Sequence, residues 1–210
     1  MPLNVVPRSD HMADFTSQHV ATSKRLFLSV SAAAVIMQKE LSEKYVSFGI
    51  RRGFFRRGMS NEVKEKTNVE IWAYLSALMV SMVETWPSRP PASDLGVIIQ
   101  ILEGALLDAQ RINCRWEYDA YRHYFREGRG SSGVPYPKVF GPMYGLHEEF
   151  SSRLGLLWVV PSRASISPYS PEEMFGKADQ VMRAYMELVY RLNNIVEEGF
   201  RKGLQEVLPA

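Results

Sequence analysis

The amino-acid sequence predicts an all-α fold, a bundle of about five helices with a long central and a long C-terminal member. Three observations carry this expectation. Apolar residues recur every three or four positions over most of the chain, helix-start signals precede several of these stretches, and glycine and proline clusters separate them. No period of roughly 20–50 residues repeats, so a solenoid is not expected.

Residues 1–15 are polar with two prolines and read as a tail, which leaves 16–210 as a single helical domain. The first helix is expected over about 16–48, where Ala32, Ala33 and Ala34 and several leucines favour helical backbone despite scattered serines. It runs into a glycine and arginine segment at 49–58. A second helix has two candidate caps, Ser60 and Thr67, the latter with Glu70 three residues on as in a capping box. Ile71, Leu75, Leu78, Met82 and Trp86 then mark one buried stripe, and Pro87, Pro90 and Pro91 end the element.

The third helix opens at Ser93 or Asp94 and meets no strong breaker before Gly128, a length of about 50 Å at ~1.5 Å per residue. Gly96 and Gly104 weaken it, so a bend or two helices in succession is the alternative. The glycine, serine and proline-rich stretch 128–137 is the best place for a joint between subdomains. Over 139–160 glycines interrupt the pattern, and helix is favoured over a strand at 154–160. The last helix is the clearest, with Ser170 as cap, Pro171 in the first turn and Glu173 completing a capping box.

With 46 % apolar and 23 % charged residues, the composition matches a folded globular chain rather than a disordered or membrane-embedded one. A formal net charge of +2 is mildly basic and far from the bulk positive charge of a protein that coats nucleic acid non-specifically, so bulk charge decides nothing. The longest apolar run, 26–37, contains two serines and is too short for a membrane span. A lone cysteine, Cys114, excludes an intramolecular disulfide framework, and a reducing, cytoplasmic setting is the simplest expectation.

Two surfaces suggest recognition. In the terminal helix Met174, Ala178, Val181, Tyr185, Leu188, Leu192, Ile195 and Gly199 alternate by four and three, a heptad seam that packs within a bundle or against a partner, including a second copy. Val189, Val196 and Phe200 widen it toward the bundle alternative. If 108–129 is one helix, Arg111, Arg115, Arg122, Arg126 and Arg129 fall within roughly 60° of one another and form a row for phosphates or acidic side chains. Tyr118, Tyr121, Tyr124 and Phe125 are assigned to its opposite, core-facing side. Arg51, Arg52, Arg56 and Arg57 around Phe54 and Phe55 form a second basic cluster suited to pairing with phosphates and stacking on bases. Asp108 and Asp119, at the edge of the row, are placed to neutralise it by pairing along the helix.

Support for catalysis is thin. Asp119 and His123 share a helix face but are only two ligands, and His147, Glu148 and Glu149 are consecutive and diverge. No nucleophile elbow, phosphate-binding loop or dinucleotide fingerprint occurs, so neither metal nor cofactor is expected. Cys114 is expected to be a small buried side chain within the helix. Trp72, Trp86, Trp116 and Trp158 serve either a core or a ligand pocket between helices. The leading expectation is a non-enzymatic helical interaction, regulatory or assembly protein. A nucleic-acid-binding protein that packages a strand with its arginines is second, and a helical enzyme or small-molecule binder third.

Overall fold

The computed structural model describes residues 17–47, 59–85, 92–108, 113–128 and 141–159, together with 170, 172–173, 176–180, 183 and 198. The fold is all-α, as the periodicity predicts. Among the described residues five helices have both ends given, in order α1 (Ser17–Ser47), α2 (Asn61–Glu84), α3 (Ala92–Asp108), α4 (Arg115–Glu127) and α5 (Gly141–Val159), and 172–173, 176–180, 183 and 198 are helical as well. The 139–160 stretch is thus helical, as favoured, and the first helix lies where its alanines place it.

Helix α2 is the hub, packing against each of the other four, while α1 pairs with α3 on one flank and α4 with α5 on another. Its sequence explains this position. Every residue from Ile71 to Ser81 is buried, so the single stripe expected from the spacing becomes a helix covered on all sides. Ser60 is its cap, with the hydroxyl accepting from Val63 N at 3.3 Å. The other candidate, Thr67, is buried in mid-helix, where its hydroxyl accepts from Trp158 Nε1 at 3.2 Å. At the far end the Thr85 backbone N–H and hydroxyl both donate to the Ser81 carbonyl.

Over 93–128 the structure takes the alternative of two helices in succession and corrects the single continuous helix. Helix α3 passes through Gly96 and Gly104 and ends at Asp108; α4 starts at Arg115, after a non-helical Cys114. Tertiary bonding favours this reversal: the Tyr118 hydroxyl on α4 donates to the Glu103 carboxylate on α3, 15 positions earlier. In one straight helix those residues would lie about 22 Å apart. The left-handed Gly128 (φ 63°) then closes α4, its N–H reaching the Tyr124 carbonyl at 3.0 Å.

Ser170 and Glu173 form the expected capping box, with Ser170 N donating to Glu173 Oε2 at 2.9 Å and Glu173 N to Ser170 Oγ at 3.2 Å. The 128–137 joint lies outside the described residues beyond Gly128, as do the 1–15 tail, most of the terminal helix, and Trp86.

Candidate functional site

The arginine row loses its geometric basis with the break between α3 and α4. Arg111 and Arg129 lie outside the described residues, and Arg115 is exposed at the start of α4. Arg122 turns inward and is only 3 % exposed. Its Nη1 donates to Ser81 Oγ at 2.6 Å, its Nη2 pairs with Glu84, and its guanidinium lies 5.7 Å from the Phe125 ring centre. Arg126 is largely exposed and sits 3.6 Å from the same Glu84 carboxylate. The physical reason is spacing: Arg122 follows Tyr118 by one turn and shares its face, so docking the tyrosines on α2 carries Arg122 in with them. The second basic cluster, Arg51, Arg52, Arg56 and Arg57, lies outside the described residues.

A denser polar cluster joins α2, α4 and α5. The Tyr121 hydroxyl donates to Glu70 Oε2 at 2.6 Å, and Arg153 Nη1 reaches Glu70 Oε1 at 3.0 Å. Arg153 also donates through Nε to Glu149 at 3.3 Å and covers the Tyr121 ring at 5.1 Å. Beside them Tyr74 stacks on Phe150 (4.2 Å between centres, 15° between planes) and meets His147 Nδ1 through its hydroxyl at 2.6 Å.

Burial dominates the electrostatics here. It raises the Glu70 carboxyl above its ordinary range, against the pull of Arg153 and the Tyr121 hydroxyl. It likewise holds the Tyr121 hydroxyl well above its usual value, with Glu70 adding to the effect. His147 is lowered to about 4 by burial, so at neutral pH the ring is uncharged. Burial works against the Arg153 charge, yet neighbouring Tyr121, Glu70 and Glu149 leave its pKa raised. A carboxyl with raised pKa bonded to a tyrosine has acid–base capacity. In this cluster each such group is bonded to another member, and the result is a polar lock between three helices.

Other candidates resolve simply. Among the described residues no group of three or more His, Cys, Asp or Glu is placed to hold a metal. Cys114 is buried as expected, but at the start of α4 rather than within a helix, and burial pushes its thiol up to about 11. Trp72 and Trp158 are core residues, their Nε1 groups donating to the Leu106 carbonyl and the Thr67 hydroxyl. Trp116, by contrast, is 81 % exposed. Of the heptad seam, Ala178 packs on the core, with its carbonyl against Gly155 of α5. Val181, Tyr185, Leu188, Leu192 and Ile195 lie outside the described residues.

One surface escaped the sequence reading. Helix α1 buries Leu26, Val30, Ala33, Met37 and Leu41 on its inner side. Its outer side also carries aliphatics, with Leu28 55 % and Val35 66 % exposed, and Val20 on the flank is 47 % exposed. At about 100° per residue Leu28 and Val35 lie only about 20° apart, on the side facing away from the core stripe. The signal was present in the apolar run 26–37, which continues for several turns without the polar face that a one-sided helix carries. Over Ser17–Glu43 this helix is long and apolar enough to cross a membrane by length and composition, a property shared by the core helices of soluble proteins and by signal sequences. Comparison with known proteins gives no match to a family model, a curated protein or a solved structure.

Proposed function

We propose that this chain is a non-enzymatic helical interaction protein that holds another protein chain against the outward face of α1, in an assembly or regulatory role in the cytoplasm. The observation that supports it is the exposure of Leu28 and Val35, large aliphatics on the same outer face of a helix whose inner face is already buried. Single exposed apolar residues are ordinary, but an aligned set along one helix is the kind of surface that a partner helix covers. Mutual pairing among Glu70, Tyr121, Arg153 and Glu149 favours binding over catalysis, because these groups already have structural partners. Strand packaging by an arginine row loses support, since Arg122 is paired inside.

Site-specific photocrosslinking tests the reading in cells that make the protein. A photoreactive residue at position 28 or 35 should give a covalent protein adduct, whereas one at the exposed Glu62 of α2 should not. Absence of adducts from both α1 positions contradicts it.

A further inference from the structure

We draw no further inference here: the strongest candidate, the outward face of α1 around Leu28 and Val35, belongs to the surface already described, and nothing in the structure shows which chain covers it.

Discussion

The Tyr74 hydroxyl on α2 lies 2.6 Å from Nδ1 of His147 on α5, and both residues are buried. In the uncharged imidazole Nδ1 either accepts from the hydroxyl or donates to it, according to the tautomer. Burial lowers the His147 pKa from 6.5 to about 4 and keeps the ring uncharged at neutral pH. The unfolded chain therefore takes up this proton first as pH falls, and stability is lost between pH 6.5 and about 4. His147 alone should account for about 3 kcal/mol over that window. Glu70 acts with the opposite sign: its raised pKa means that the native state protonates first, so its contribution grows as pH falls toward 4.5. Urea denaturation from pH 7.5 to 4.5 should show a shallower acid slope in His147→Gln than in the wild type. Parallel slopes would contradict the assignment.

Arg122→Ala should be a stability variant. It removes the charged partner of Glu84 and the donor to the buried Ser81 hydroxyl, at a cost of about 1.5–3 kcal/mol. Arg122→Lys should recover only part of this, since an ammonium on a flexible stem does not reproduce a planar fork that reaches two acceptors. Arg115→Ala, at an exposed position, should leave the unfolding midpoint within about 0.5 kcal/mol of wild type. Equal melting temperatures for Arg122→Ala and Arg115→Ala would refute the inward placement of Arg122.

Three helical glycines should respond with different signs to alanine. A Cβ at Gly155 would lie 2.9 Å from the Ala178 carbonyl oxygen, a backbone atom, so Gly155→Ala should destabilise by about 1–3 kcal/mol. At Gly96 and Gly104 nothing lies within 4 Å, and alanine there should stabilise α3 by about 0.5–1 kcal/mol through propensity alone. Thermal melts of the three variants check this. Stabilisation by Gly155→Ala would mean that the terminal segment does not cross α5 at that point.

Much of the fold was legible because local chemistry and tertiary packing agree. Ser60 caps α2, and Ser170 with Glu173 forms the capping box, as short-range hydrogen bonding demands. Two helices in succession were open from Gly96 and Gly104, but the place of the break was not legible, because no glycine or proline lies between Asp108 and Arg115 and the long-range Tyr118–Glu103 bond has no local signature. The arginine row failed for a reason already present in the spacing. Tyr118 lies one turn before Arg122, so the charged and aromatic positions were never on opposite sides. Thr67 and Glu70 matched a capping box, but Thr67 receives the Trp158 indole and Glu70 receives Arg153, both from α5, over 80 residues later. The outer face of α1 is hidden in the sequence because Leu28 and Val35 fall inside the same apolar run as Leu26 and Met37, and only helical rotation separates the two sides.

Carbene labelling of the full chain, read by mass spectrometry for the purified protein and for the protein inside the cells that make it, tests most directly whether α1 has an inner face for the core and an outer face for a partner. Leu28 and Val35 should label in the purified protein and become protected in cells, while Leu26 and Met37 stay unlabelled throughout. Labelling of Leu28 and Val35 that is the same in both settings would contradict the account.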